Sequence, residues 1–148
     1  MVSVALCFSG CKRNPKFLHG VWLRSWRLDS FGDDPPMIVT IVLEFKPDGT
    51  GHRFVYHTPS NALDQVAGEP WIAEENPITW SASGTTIYLH LAEYEAEVVY
   101  RYTRQKENEL RVQEDGLAEP LRWNMLDLTY EEAIARVENG RTLAVRSD

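Results

Sequence analysis

The stretch MIVTIVLEFKPDGTGHRFVYH, residues 37–57, decides how the chain is read. Met37, Val39, Ile41, Leu43 and Phe45 recur at every second position, and their neighbours Thr40, Glu44 and Lys46 turn polar toward the end. A period of two is the mark of a half-buried β-strand. Lys46-Pro47-Asp48-Gly49-Thr50 follows, in which Asp-Gly supplies the positive φ angles that a tight turn requires. The chain then returns over Gly51 to His57, with His52, Phe54 and Tyr56 on one face. Strand, tight turn and strand make an antiparallel hairpin.

The same grammar extends in both directions. Upstream, Phe17 to Phe31 is rich in Trp, Val, Leu and Phe and ends in the turn cluster Gly32-Asp33-Asp34-Pro35-Pro36. Downstream, the polar connection Thr58–Glu75 holds Pro59, Gly68, Pro70 and Trp71 and is the least regular part of the chain. Pro77 to Ser81 reads as a short strand, turned by Ser83-Gly84 into Ile87, Leu89 and Leu91. The acidic turn Glu93-Tyr94-Glu95 leads to Val98, Tyr100 and Tyr102, and Lys106 to Glu109 turns the chain into Leu110 to Glu114. Leu121 to Asp127, with Trp123 and Met125 on one face, is the last strand.

About eight short strands joined mostly by tight turns predict an all-β fold, an antiparallel up-and-down barrel whose closure removes exposed edges. One helix is predicted over 130–139. Thr129 and Glu132 form a capping box, Ala133, Ile134 and Val137 a stripe, and Gly140 a stop. Its expected role is to plug or cover one end of the barrel.

Composition bounds the function. A chain of 148 residues is one domain, and 43% apolar residues with five Trp, six Tyr and five Phe suffice for a packed core. A net charge of −7 argues against nucleic acid as a partner, because phosphate binding needs a clustered basic surface. No apolar run reaches the roughly 18–20 residues that span a bilayer.

Cys7 and Cys11 are the two cysteines. Val2 to Phe8 is apolar apart from Ser3, and Ser9-Gly10 are small residues of the kind signal peptidases accept. This opening resembles the end of a bacterial lipoprotein signal, with Phe8-Ser9-Gly10-Cys11 as the lipobox. The resemblance implies a leader over 1–10, lipid attachment at Cys11, a tether over 11–16 and a barrel domain over 17–148. The protein would then be extracytoplasmic, in the cell envelope, held to the membrane by its lipid alone. A competing reading makes residues 1–11 a frayed tail or first strand with an incidental thiol.

Gly20-Val21-Trp22, then Leu43 to Gly51 with its Asp-Gly-Thr-Gly hairpin, Ile78-Thr79-Trp80-Ser81 and Val98 to Val112 follow one another in order. Over residues 17–115 the chain resembles the lipocalin-like proteins of bacteria. That resemblance implies an up-and-down barrel, often exported and tethered, with a cavity for an apolar small molecule and no catalytic residues.

Candidate chemistry is sparse. His52 and His57 lie five apart on one strand and point to opposite faces, and His19 and His90 lack a second ligand at a recognisable spacing, so no metal site is expected. Glu93, Glu95 and Glu97 read as a solvated edge. No nucleophile elbow, zinc-protease helix, phosphate loop or dinucleotide fingerprint occurs, and neither an enzyme nor a cofactor is expected. The aromatics Trp22, Trp26, Phe54, Tyr56, Trp80, Tyr100, Tyr102 and Trp123 are candidate ligand-binding residues, with Arg24 on the face of Trp22 and Trp26 to meet a carboxylate or stack on a ring. Singly, each fits plain core packing as well. Two functions follow: a binding protein for a small apolar or amphipathic molecule, or a protein–protein module, of the inhibitor or immunity type, docking through the 58–75 loop.

Overall fold

The computed structural model describes residues 14–29, 36–59, 70–116 and 119–139. The expected leader and lipobox with Cys11, the centre of the long connection and Gly140 lie outside them. Eight strands run in chain order: β1 (Gly20–Leu28), β2 (Met37–Phe45), β3 (Thr50–Pro59), β4 (Ile72–Ser83), β5 (Thr86–Leu91), β6 (Ala96–Lys106), β7 (Glu109–Glu114) and β8 (Leu121–Met125). Each pairs antiparallel with the next, and β8 closes on β1 through Trp22 opposite Met125, giving a closed barrel.

The hairpin at residues 46–50 fixes the register of β2 and β3. Gly49 N–H donates to the Lys46 carbonyl at 3.1 Å and Lys46 N–H to the Thr50 carbonyl at 2.9 Å. Within the turn, only Gly49 takes a positive φ, at 85°. Asp48 keeps a negative φ and instead accepts from the Thr50 amide at 2.9 Å and the Thr50 hydroxyl at 2.6 Å. The connection is thus one left-handed glycine after an ordinary turn, not two left-handed residues. Gly51 is obligatory for a different reason: a Cβ there would lie 1.8 Å from the Glu44 carbonyl oxygen.

The long connection is shorter than the sequence indicated. Thr58 and Pro59 end β3, and Ile72 to Glu75 already belong to β4, leaving residues 60–71 between the strands. Alternation of apolar and polar residues fails as a guide at Glu74 and Asn76, which continue the inward face of β4.

The lower half of the barrel is filled. Trp22, Phe45, Trp80, Leu110 and Trp123 meet there, all at most 4% exposed. The 3₁₀ turn Lys16–Leu18 closes this base, with Leu18 fully buried and its carbonyl accepting from Trp22 Nε1 at 2.9 Å.

Helix α1 (Tyr130–Glu138) starts at the predicted capping box, with Thr129 and Glu132 exchanging hydrogen bonds. It does not cover an end of the barrel. Tyr130 and Ala133, with Leu126, pack onto Val21, Val42, Phe54 and Tyr56, the outward face of β1–β3. A stripe this apolar needs an apolar partner, and the outer wall of these three strands supplies one. Among the described residues no helix is long and apolar enough to cross a membrane.

Candidate functional site

The upper half of the lumen differs from the base. Alternation along β1 sends Trp22, Arg24 and Trp26 inward at successive levels. Arg24 is 5% exposed, yet it is a cation. Its Nη1 donates to Glu114 Oε2 at 2.9 Å, and its guanidinium lies over the Trp26 ring, 4.5 Å from the centroid. Glu114 stands opposite Tyr100 in the β6–β7 ladder. Burial pushes the Tyr100 phenol up to about 12; the Glu114 charge adds to this, while Arg24 and Arg53 oppose it. Tyr100 is therefore a neutral hydroxyl at physiological pH, packed edge-on against Trp123 at 4.8 Å.

Arg53 enters from β3, level with Leu43 on one side and Asn76 on the other. Among the described residues it forms no ion pair. Its charge, after burial, helps hold His57 below the usual imidazole value, so His57 is predominantly neutral near pH 7. Asn76 is 1% exposed, and its Nδ2 donates to Glu93 Oε2 from the turn after β5. An ionised carboxylate only accepts, which fixes the amide orientation and leaves Asn76 Oδ1 free. Three buried polar atoms here lack a hydrogen-bond partner among the described residues: Arg24 Nε, Arg53 Nε and Asn76 Oδ1. Around them Trp26, Met37, His57, Glu74 and Val98 face inward but remain half-buried, so solvent reaches this part of the lumen.

The candidate residues divide three ways. Arg24, Trp26 and Tyr100 belong to the upper lumen. Trp22, Trp80, Tyr102 and Trp123 are in the filled base, and three of them use their polar atoms structurally. Trp22 Nε1 binds the Leu18 carbonyl, Trp80 Nε1 reaches the Lys46 and Thr50 carbonyls at 3.1 Å, and the Tyr102 hydroxyl donates to the Gly84 carbonyl at 3.0 Å. Phe54 and Tyr56 face outward beneath α1 and do not line the lumen, because the inward face of β3 is Gly51, Arg53, Val55 and His57. Arg53, Asn76 and Glu114 were missed. Their only signal was position: each continues an inward parity that flanking apolar residues define. Glu93, read as a solvated edge, orients Asn76.

A concavity of about 360 Å³ lies outside the barrel between β3–β4 and α1. His52 stacks on Tyr130 at 5.1 Å and its Nδ1 lies 2.8 Å from Glu44 Oε1. Burial, then the charge of Glu75, keeps the Tyr130 phenol protonated. Among the described residues no three His, Cys, Asp or Glu side chains converge as metal ligands. The upper lumen thus presents hydrogen-bond donors and acceptors on an aromatic and aliphatic wall, an arrangement suited to holding a polar group beside an apolar body. No known protein family, no curated protein and no solved structure matches the chain.

Proposed function

We propose that this protein is a lipocalin-like binding protein of the cell envelope, lipid-anchored through Cys11, that holds a small apolar or amphipathic molecule in the upper lumen. One observation carries the reading: inward-facing side chains are sealed in the lower half and reached by solvent in the upper half. A barrel built only for packing has no use for half-buried Trp26, Met37 and Val98 on its inner face. Burying a ligand against them gains about 25 cal/mol per Å² of apolar surface. The entry of the chain sets the orientation that such an anchor would impose. Asn14 Oδ1 accepts from the Ala82 amide at 3.0 Å, near the base, so a lipid three residues earlier, at Cys11, would hold the base toward the membrane and the upper lumen away from it.

Native mass spectrometry of protein made from its own gene, upstream region included, and purified from membranes tests both halves of the reading. A mature mass starting at Cys11 plus acyl chains, with a small molecule released on activation, is the expected result. An unprocessed chain carrying nothing would sink it.

That outcome would favour a protein–protein module, for which Trp71 is the specific observation: it is 50% exposed just before β4. Trp71→Ala then abolishes partner binding and Arg24→Ala leaves it intact. The binding-protein reading expects the reverse for a lumen ligand.

A further inference from the structure

Arg111 of β7 and Arg122 of β8 stand directly opposite each other in the ladder. Leu110, Val112 and Trp123 take the inward positions, so both arginines lie exposed on the outer wall. Like charges facing one another across a strand pair are destabilising. Arg122 Nε has Glu109 Oε1 at 3.4 Å, one carboxylate for two guanidiniums. Arg111 forms no ion pair among the described residues, and its diagonal neighbour Arg101 is taken up by Asp115 at 2.7 Å. Two concavities flank Arg111 and share it and Pro120. One, of about 360 Å³, also takes in Gln105, Leu121 and Arg122. The other, of about 270 Å³, takes in Thr103, which is opposite Arg111 on β6.

We propose that Arg111 and Arg122 receive one phosphate group between them, carried by a soluble phosphate ester or by a phospholipid head. Each guanidinium is a planar fork whose donors match the spacing of phosphate oxygens. Neighbouring strands lie about 5 Å apart, so two forks can grip opposite edges of one tetrahedral group. A carboxylate has two oxygens in one plane and satisfies one fork only. The Gln105 amide and the Thr103 hydroxyl add neutral donors, and Pro120 and Leu121 offer an apolar wall to the carbon beside the ester oxygen. The net charge of −7 repels an extended polyanion and favours a single small group. This outer site stands apart from the lumen reading and does not depend on it.

Thermal melts of the full chain at pH 7 in glycerol 1-phosphate, acetate or chloride, at matched ionic strength, are the test. In chloride, Arg111→Gln should melt about 1–3 °C above the native chain, because the repulsion is gone. Glycerol 1-phosphate should raise the native melt by a similar amount over the other two salts and leave the variant unchanged. Arg111→Lys keeps the charge without the fork. The Arg122 Nε–H NMR signal should show it binding glycerol 1-phosphate about tenfold more weakly than the native chain. An Arg111→Gln melt at or below the native one would overturn the repulsion on which the site rests. Equal responses to acetate and glycerol 1-phosphate would overturn the phosphate. Sedimentation with phosphatidylcholine vesicles, with and without phosphatidylglycerol, separates the two sources. Binding that needs phosphatidylglycerol and is lost in Arg111→Gln assigns the phospholipid head. A glycerol 1-phosphate response without vesicle binding assigns the soluble ester, and a response to neither overturns the proposal.

Discussion

The lower and upper halves of the lumen are built by the same strands and differ in what those strands carry inward. On β2 the inward residues are apolar from end to end: Phe45, Leu43, Ile41, Val39, Met37. On β3, directly beside it, they are Gly51, Arg53, Val55 and His57. The base is sealed by three tryptophans and the 3₁₀ turn; the polar atoms of Trp22 and Trp80 are satisfied by carbonyls, and Trp123 Nε1 alone of the three has no partner among the described residues. Above it, two arginines and an asparagine keep buried atoms without partners among the described residues. Sealed apolar packing and a half-buried, partly polar inner surface are therefore separated along the barrel axis, not divided among strands. One strand, β1, contributes Trp22 to the first and Trp26 to the second.

That pair gives the sharpest way to break the comparison. Trp22→Ala removes a side chain 1% exposed and its bond to Leu18, and should cost about 3–5 kcal/mol of unfolding free energy. Trp26→Ala, four residues along the same face, removes a half-buried ring and should cost about 1 kcal/mol or less. Denaturant titration of both variants measures the contrast. Equal losses would show the upper lumen to be as tightly packed as the base.

A smaller effect sharpens the upper half. Glu114→Gln leaves the Arg24 guanidinium buried without its counter-charge. Breaking a fully buried pair costs about 3–5 kcal/mol, but the Glu114 side chain is 24% exposed, so solvent screening brings the expected loss to about 2 kcal/mol. A change indistinguishable from zero in the denaturation midpoint would mean that water already carries the Arg24 charge.

The halves also differ in how legible they were. Strand number, order and turns follow from period-two runs and from Asp48-Gly49 and Ser83-Gly84, because those local signals act within a few residues. Which face of a strand turns inward follows on β2, from Met37 to Phe45, but not on β3. Val42 is fully buried on the outer face, and Phe54 and Tyr56 are the largest side chains of β3 yet pack under α1. A helix laid on the wall makes both faces apolar, and the alternation that separates inside from outside is lost. Arg53 was missed for that reason: it shares a parity with Val55 on a strand whose aromatics pointed to the other face. Asn76 and Glu114 were missed because a buried polar group is recognisable only once its neighbours in space are known. Tests of the helix belong here. Thr129→Ala removes the capping box and should cost about 1 kcal/mol, leaving any lumen ligand affinity unchanged. A change in ligand affinity would show that the wall under α1 shapes the site.

The smallest expected effect is at the base, in the turn that sets the register. Hydrogen bonds from the Thr50 hydroxyl and amide hold the Asp48 carboxyl below its ordinary value of 3.8. A carboxyl whose value is lowered by folding contributes stability as the anion. That contribution is complete above the ordinary value and disappears as pH falls through the folded one. The melting temperature of Asp48→Asn should therefore lie slightly below that of the native chain at neutral pH, and the two should converge in acid, below about pH 4. A gap that persists unchanged into acid would assign the effect to the shape of the amide rather than to the charge. The register of β2 and β3 would then rest on Gly49 and Gly51 alone, the two positions where backbone geometry leaves no alternative.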